Sequence, residues 1–325
     1  MKRLLVVFAL LAGLLPQLSF ANGKVRIGYW TSGVSLGYGA VLESQDFLKK
    51  RGVDAEFVHF PDVNAPLKAL ASGSIDLAFG APVAGVFSVA SEGVPVKIIA
   101  ATQPADVAFV VPADSPITSL SQLKGKKVGM SPAGSSVAVI GTTLLQENAG
   151  IAANAFSLVG GNESRLAQFL AQKQVDAAAL RTLTVKQLPD LKLRVISTYA
   201  DEWKKLTHSD AQPYIGVGTV RNELLTQQPE TVAKVIAALR DTLDWGRAHP
   251  DDVVNILKVK ASLPEDQARA YVSLWDRMNQ MSFETADIDT LKREHAVLLG
   301  SGSIKGELNN DLFDQRPYLA SKKLK

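Results

Sequence analysis

The segment Met130–Gly141, with the sequence MSPAGSSVAVIG, combines residue types that can bind an anion. An apolar run ends at Met130, Pro132 and Gly134 interrupt it, and an apolar-periodic segment begins after Ser136. This order predicts a strand, a turn of small residues and the first turn of a helix, where backbone N–H groups lack partners within the helix. The segment could cradle a phosphate in an enzyme, clamp another ligand, or be a helix start capped by serine.

Two kinds of enzyme are excluded by what the sequence lacks. The turn has neither the four-residue gap nor the Gly-Lys-Ser/Thr of a phosphate-binding P-loop. The chain has no cysteine, which excludes thiol nucleophiles and cysteine-ligated metals, and its four histidines are scattered with no pair at metal-ligand spacing. We therefore predict that the protein is not an enzyme, with no catalytic residue, no metal and no cofactor.

The N-terminal residues predict export. Lys2 and Arg3 precede the apolar run Leu4–Leu15, and small residues flank a cut after Ala21, so residues 1–21 are organised as a cleaved secretory signal peptide. The apolar run is too short to span a bilayer. Without a cysteine there is no lipid anchor, and we predict a soluble protein of the periplasm. We also expect a monomer. The formal net charge of +3 gives no reason to expect a nucleic-acid partner.

The chain repeats itself at an interval of one hundred residues. The segment 70–79 (LASGSIDLAF) is similar to 170–179 (LAQKQVDAAA), which aligns Asp76 with Asp176. In each copy strands alternate with helices, a pattern that indicates βαβ units and a mostly parallel sheet. The predicted strands are 25–29, 55–59 and 75–79 in the first copy and 127–131, 155–159 and 175–180 in the second. The predicted helices are 37–50, 64–72, 137–149 and 163–173.

Two extended segments predict a hinge between the two resulting lobes. The apolar run at 107–111 carries the chain into the second lobe, and the run at 214–220 brings it back, so the first lobe is discontinuous. We assign residues 22–108 and 218–325 to lobe 1, which includes the C-terminal helices. Residues 109–217 form lobe 2.

Four segments and one turn carry a resemblance to a known family. They are 27–32 (IGYWTS), 68–80 (KALASGSIDLAFG), 92–99 (EGVPVKII), 120–129 (LSQLKGKKVG) and the turn at 134–136. These segments resemble the periplasmic substrate-binding proteins of ABC importers for sulfonates, taurine, nitrate and thiamine-precursor pyrimidines, the NMT1/THI5-like family. The resemblance implies a type II periplasmic-binding-protein-like α/β fold, whose two lobes close on a small ligand before docking on an inner-membrane ABC permease.

The topology predicts where the ligand binds. Ligands of open α/β sheets bind beyond the carboxyl ends of the strands, a rule that selects the loops 30–37, 80–83, 131–137 and 181–184. Hydroxyls, backbone amides and one guanidinium would there hold a small oxyanion. The residues that we predict to contact the ligand are Trp30, Thr31, Ser32, Ser35, Gly80, Ala81, Pro82, Ser135, Ser136, Arg181, Thr182 and Tyr214.

Several alternatives stay open at this stage. Arg181 directly follows an apolar strand and could donate to an oxyanion, or it could be a surface arginine paired with a nearby carboxylate. Ser135 and Ser136 could contact the ligand or only cap a helix. An alkanesulfonate or taurine-like anion is the first choice of ligand, followed by nitrate or a carboxylate and then a neutral pyrimidine. A ligand-sensing module or an enzyme on the same fold is the alternative function.

Overall fold

Two five-stranded sheets organise residues 23–324, the part of the chain that the computed structural model describes. The predicted signal peptide, residues 1–21, lies outside these residues. The strands are β1 (Val25–Trp30), β2 (Ala55–Phe60), β3 (Leu77–Ala81), β4 (Val96–Pro104), β5 (Val107–Pro112), β6 (Lys127–Met130), β7 (Ser157–Gly160), β8 (Ala177–Arg181), β9 (Leu193–Thr198) and β10 (Tyr214–Arg221). Their order is β2-β1-β3-β10-β4 in the first sheet and β7-β6-β8-β5-β9 in the second.

Helices cover both faces of the sheets. They are α1 (Gly33–Ser44), α2 (Phe47–Lys50), α3 (Ala65–Ala71), α4 (Val83–Ser91), α5 (Ser136–Ala149), α6 (Glu163–Ala171), α7 (Thr182–Gln187), α8 (Tyr199–Thr207), α9 (Asn222–Gln227), α10 (Pro229–Ala248), α11 (Pro250–Lys260), α12 (Glu265–Val272), α13 (Trp275–Met278), α14 (Thr285–Gly300) and α15 (Arg316–Ser321). Within residues 23–324, no helix has the length and apolar character needed to cross a membrane.

The sheets are mixed, but in each of them four of the five strands run in one direction, as expected for mostly parallel sheets. In the first sheet β1 pairs in parallel with β2 and β3, but β10 is antiparallel to β3 and β4. In the second sheet β6 is parallel to β7 and β8, but β5 is antiparallel to β8 and β9. The antiparallel strand is in each case the one that arrives from the other lobe, because it enters through the hinge and not through a helical crossover.

The hinge lies a few residues away from the predicted boundaries. The chain leaves the first sheet after Pro104 and enters the second at Val107, and it returns to the first sheet at Tyr214. Residues 107–108 therefore belong to the second sheet and residues 214–217 to the first, opposite to the assignment made from the sequence. The predicted boundaries lie inside the apolar runs 107–111 and 214–220, and hydropathy within such a run does not mark which sheet its strand joins.

The internal repeat has a structural basis in two aspartates. The carboxylate of Asp76 accepts the backbone N–H of Arg26 at 2.9 Å, and that of Asp176 accepts the backbone N–H of Lys127 at 2.8 Å. Each aspartate also donates its own N–H to the carbonyl of the same partner, at 2.8 Å in both lobes. These bonds align the start of β3 with that of β1 in the first sheet, and the start of β8 with that of β6 in the second. In each sheet the two paired strands therefore also end side by side.

Apolar side chains of both lobes form one continuous core. The larger cluster contains Ile27 and Leu77 of the first sheet together with Phe109 and Val128 of the second, all fully buried. A smaller cluster around Leu166 covers the other face of the second sheet. The larger cluster brings the two lobes into contact next to the edge where the strands end.

A buried carboxyl group lies beside the returning strand of the hinge. Glu294 of α14 is fully buried, and its Oε2 accepts the backbone N–H of Tyr214 at 2.8 Å. Its Oε1 has no hydrogen-bond partner among residues 23–324. Burial raises the pKa of Glu294 well above its ordinary value, because one N–H compensates little of the lost hydration. The folded state therefore favours the protonated carboxyl.

We predict that Glu294→Gln stabilises the protein by an amount that grows as the pH rises. The Glu294 carboxyl of the unfolded chain loses its proton at about pH 4.3. In the folded state the carboxyl keeps its proton up to the raised pKa. Folding therefore takes up a proton above that pH, and the free energy of unfolding decreases as the pH increases. The glutamine oxygen can still accept the N–H of Tyr214 without this effect. Melting temperatures of both proteins between about pH 5 and pH 8 test this.

Glu202→Gln is the matched control. Burial raises the pKa of Glu202, but hydrogen bonds from Lys205, Ser197 and Asn148 outweigh burial and lower it overall. Its substitution should therefore decrease the melting temperature by a similar amount throughout the same pH range. A difference between wild type and Glu294→Gln that stays constant with pH would contradict the assignment of a protonated Glu294.

Candidate functional site

The carboxyl ends of four strands meet where the lobes face each other. The loops that follow β1, β3, β6 and β8 lead there into α1, α4, α5 and α7. Across the boundary, the hydroxyl of Ser136 accepts the backbone N–H of Ala84 at 3.2 Å, and the side-chain amide of Asn64 donates to the carbonyl of Ala133 at 3.1 Å. The two lobes are therefore closed on each other at this cleft.

A buried ion pair forms the lobe 2 wall of the cleft. The guanidinium of Arg181 donates to Oε1 of Glu163, and the backbone N–H of Arg181 donates to Oε2 at 3.0 Å. The hydroxyl of Thr184 also donates to Oε2. The side chains of Arg181 and Glu163 are only 5% and 6% exposed. Three donors thus compensate a carboxylate that has lost its water.

Local structure explains why both charged residues lie here. Arg181 is the last residue of β8, so its side chain emerges at the strand end that faces the other lobe. Glu163 is the first residue of α6, whose N-cap Asn162 accepts the backbone N–H of Arg165 at 2.9 Å. The helix dipole favours a carboxylate in this first turn. Arg181 thus pairs with a carboxylate, as the alternative interpretation of the sequence had it, but the pair is buried and not at the surface where that interpretation placed it.

Arg181 also contacts the opposite lobe. Its Cζ lies 5.1 Å from the centroid of the Trp30 ring, a cation–π arrangement across the cleft. Trp30 ends β1, is buried, and donates its indole N–H to the carbonyl of Pro61 at 3.3 Å. The Nε of Arg181 is buried and has no hydrogen-bond partner in the described part of the chain. This N–H is therefore a buried donor that the protein does not use.

The lobe 1 wall is polar but uncharged. The hydroxyl of Ser35, in the first turn of α1, accepts the side-chain amide of Gln103 at 2.9 Å, and both residues are buried. Gly80 has a φ of +69°, and a Cβ there would lie 2.7 Å from Ser35 Oγ and 2.8 Å from Gln103 Nε2. Glycine at position 80 is what allows the backbone to approach these side chains so closely.

Ser35 is also the centre of a Gly-x-Ser-x-Gly sequence, Gly33–Gly37. This spacing between a strand and a helix is that of a nucleophile elbow, in which a histidine activates the serine. In residues 23–324 no histidine is bonded to Ser35: His59 interacts with Glu43 at 2.8 Å, and His295 packs on the ring of Phe87. The Gly-x-Ser-x-Gly sequence therefore forms a strand–helix turn here, and among these residues Ser35 has no histidine bonded to it as the base that a nucleophile would need.

The two serines of the opening segment have different roles within the protein. Ser135 is the N-cap of α5, and its hydroxyl accepts the backbone N–H of Ala138 at 3.3 Å. Ser136 is the first residue of the helix, and its hydroxyl bonds to the other lobe through Ala84. Capping therefore accounts for Ser135, whereas Ser136 connects the helix start of lobe 2 to the helix start of lobe 1.

Three predicted hydroxyl groups already donate within the protein. Thr31 bonds to the carbonyl of Phe60 at 3.1 Å, and Thr182 bonds to Asp106 at 2.7 Å. The hydroxyl of Tyr214 donates to Asp287 at 2.6 Å, on the lobe 1 side of the hinge. Of the other predicted residues, Ser32 is the half-buried N-cap residue of α1, Ala81 ends β3, and Pro82 precedes α4; Ala81 and Pro82 are buried.

Sequence reasoning missed Glu163 and Gln103. Glu163 follows β7, so the rule about strand ends, applied to this strand as well, would have included it. Gln103 lies near the end of β4, just before the chain crosses to lobe 2, and no motif marks it. Among residues 23–324 no group of three or more histidine, aspartate or glutamate side chains could hold a metal ion.

Comparisons with known proteins agree with this architecture. Residues 40–253 match the model of a family described as NMT1/THI5 like. A protein of Brucella abortus (strain 2308), named as a binding protein, is 26% identical over 281 residues, which cover 84% of each chain. The alkanesulfonate-binding protein of Xanthomonas axonopodis pv. citri, solved with bound MOPS, has a TM-score of 0.72 and 18% identity over 87% of this chain and 94% of its own.

An enzyme also shares the fold. A desulfurization enzyme superposes with a TM-score of 0.64 and 14% identity, covering 93% of this chain and all of its own. The predicted fold class, two α/β lobes of the periplasmic-binding-protein type, is thus confirmed. Since binding proteins and an enzyme use this fold, the fold alone does not assign the function.

We predict that Glu163→Ala lowers the free energy of unfolding by about 3–5 kcal/mol, because it leaves the guanidinium of Arg181 buried without its counter-charge. The double variant Glu163→Ala/Arg181→Met removes both charges, and its free energy of unfolding should decrease less than that of Glu163→Ala alone. Urea unfolding followed by circular dichroism measures each variant. If the double variant loses as much free energy of unfolding as Glu163→Ala and Arg181→Met lose together, the buried pair is not coupled.

Proposed function

Because the chain belongs to the NMT1/THI5-like family, we propose that it is the periplasmic solute-binding component of an ABC importer. In this proposal residues 1–21 direct export and are removed, the mature protein acts as a monomer, and its partner is a permease in the inner membrane. The observation that carries the proposal is the cleft, where buried polar groups of both lobes lie in direct contact. A ligand held between them would touch both lobes at once.

We propose a small ligand with a sulfonate-like group. Three helices of eight or more residues, α1, α4 and α5, begin at the cleft, and their first N–H groups and dipoles favour the oxygens of an anionic group. The Nε of Arg181 offers one further donor. The similar fold of an alkanesulfonate-binding protein supports the same choice. We propose contacts from Trp30, Ser35, Gly80, Ser136 and Arg181, and nitrate, carboxylates and a pyrimidine are the competing ligands.

The proposed mechanism is a hinged trap. Two extended crossings connect the lobes, so the lobes can rotate while each sheet stays intact. A ligand can favour the closed form only by binding it more tightly, and moving a population from 1:99 to 99:1 requires about 5.5 kcal/mol of differential binding. Contacts with both walls of the cleft would supply this difference. The permease would then recognise the closed form.

We favour binding over catalysis for the same cleft. A hydrolase or transferase would need a base beside its nucleophile, and the hydroxyl of Ser35 is bonded to Gln103 instead. Within residues 23–324, Glu163 is the carboxylate of the lobe 2 wall, and its oxygens are occupied by Arg181 and Thr184. The polar groups are thus arranged to donate hydrogen bonds and lack an activated nucleophile.

We predict that one of four candidate solutes raises the melting temperature of the mature protein, residues 22–325. The panel is taurine, ethanesulfonate, nitrate and the aminopyrimidine precursor of thiamine. At a concentration of about 100 times Kd, a ligand stabilises the native state by about 2.7 kcal/mol. Trp30→Ala should abolish the shift, whereas Trp245→Ala, which removes a half-buried tryptophan stacked on His249, should not. A shift that persists in Trp30→Ala would place the ligand elsewhere.

We also predict that ligand accelerates a cross-link between the lobes. Because the chain has no cysteine, Asn64→Cys/Ala133→Cys introduces a unique pair at a contact between the lobes. Disulfide formation in this pair should become faster with the ligand found in the panel. The pair Asp114→Cys/Lys173→Cys, at an exposed ion pair within lobe 2, should form its disulfide at an unchanged rate. Ligand-driven closure is rejected if the ligand accelerates neither disulfide, or if it accelerates both equally.

A further inference from the structure

The walls of the cleft contain very few charged groups. Among residues 23–324, the side chains that meet there are mainly hydroxyls, two amides and one indole, together with the ion pair of Arg181 and Glu163. Both side chains are almost fully buried, so neither water nor salt screens them strongly. The charge that a ligand meets in the cleft therefore depends on this pair.

Asp106 is the next charged group, at the hinge end of the cleft. Its Oδ1 accepts the hydroxyl of Thr182 at 2.7 Å and the guanidinium of Arg277 at 2.6 Å. Arg277 balances its charge from the outer side, where it is 59% exposed. The Oδ2 of Asp106 is buried and has no partner among the residues described. With two carboxylates and two guanidiniums, the cleft and its hinge end have no net formal charge.

A simple anion is poorly matched to such a site. It would be attracted by Arg181 but repelled by Glu163, which lies in direct contact with the same guanidinium, and it would lose its hydration. The helix starts carry only partial charges. The unused donor of Arg181 and the unused acceptor of Asp106 offer one group of each kind instead. A molecule with an anionic end and a cationic end could use both.

We infer that Glu163 determines the charge preference of the cleft: by neutralising Arg181 it selects a solute without net charge, such as an amino sulfonate zwitterion, and rejects simple anions. This inference rests on the proposed function, since it concerns the solute that the importer would capture. Glu163 acts through Arg181 and need not touch the solute itself, which makes it a positioning residue for specificity.

Isothermal titration with taurine and ethanesulfonate tests the inference. The two molecules are of similar size, but ethanesulfonate lacks the ammonium group and is a monoanion. Wild type should bind taurine at least about tenfold more tightly than ethanesulfonate, the range of one hydrogen bond to a charged group. Glu163→Gln should bind ethanesulfonate at least about tenfold more tightly than wild type does, because Arg181 is no longer neutralised. Substitution of a residue with a merely structural role would not increase the affinity for an anion.

Glu202→Gln is the matched control, because it removes a buried carboxylate of lobe 2 that is paired with Lys205 in α8. It should change the affinity for neither compound. Wild type that binds ethanesulfonate as tightly as taurine overturns the inference, and so does a folded Glu163→Gln protein without increased anion affinity. If Glu163→Gln does not fold, Glu163→Gln/Arg181→Gln replaces it: this pair keeps the net charge and should not gain ethanesulfonate affinity, and such a gain overturns the inference.

The outcomes separate this inference from the proposed function. If ligand fails to accelerate the cross-link between the lobes, the hinged-trap function is wrong, whatever the charge preference. If the cross-link responds to a solute but Glu163→Gln does not gain affinity for ethanesulfonate, the trap is supported and the role of Glu163 is wrong. A gain by Glu163→Gln supports the charge role even where neither compound is the natural solute.

Discussion

The carboxylate of Glu163 is the point on which the cleft depends. It accepts hydrogen bonds from the backbone and guanidinium of Arg181 and from Thr184, so it joins the start of α6, the end of β8 and the first turn of α7. Through Arg181 it also determines what faces Trp30 in the other lobe. Because both charges are buried, any rearrangement that separates them leaves an uncompensated charge, and the geometry around them has little freedom.

The two lobes contain the same repeated sequence pattern but differ at the cleft. Asp76 and Asp176 make the same hydrogen bonds to the neighbouring strand, so β3 and β8 end at equivalent positions. Those positions hold Ala81 in lobe 1 and Arg181 in lobe 2. The repeat thus provides two matching frames, and Arg181 at the strand end with its partner Glu163 places charges in the lobe 2 wall where the lobe 1 wall is neutral. Closure brings the charged wall onto an aromatic ring of the neutral one.

Much of the fold could be predicted from local patterns. Apolar periodicity located the strands and helices of both copies within a few residues, because burial on one face leaves a repeating trace in the sequence. The exceptions to the mostly parallel order are β5 and β10, which are antiparallel to their neighbours because they enter their sheets from the hinge. The rule about strand ends led to Trp30, Ser35, Gly80 and Arg181, because it depends on topology and needs no knowledge of side-chain partners.

By itself the sequence determined the repeated α/β lobes, the loops that face each other and the residue types available there, since these follow from periodicity and chain order. It did not determine how those residues are used. Glu163 lies 18 residues before Arg181, with a helix and a strand between them, and Gln103 reaches Ser35 from 68 residues away. Only the tertiary structure decided that the one arginine of the opposing loops is neutralised and buried against Trp30, because side chains from separate elements meet through packing that no local pattern encodes.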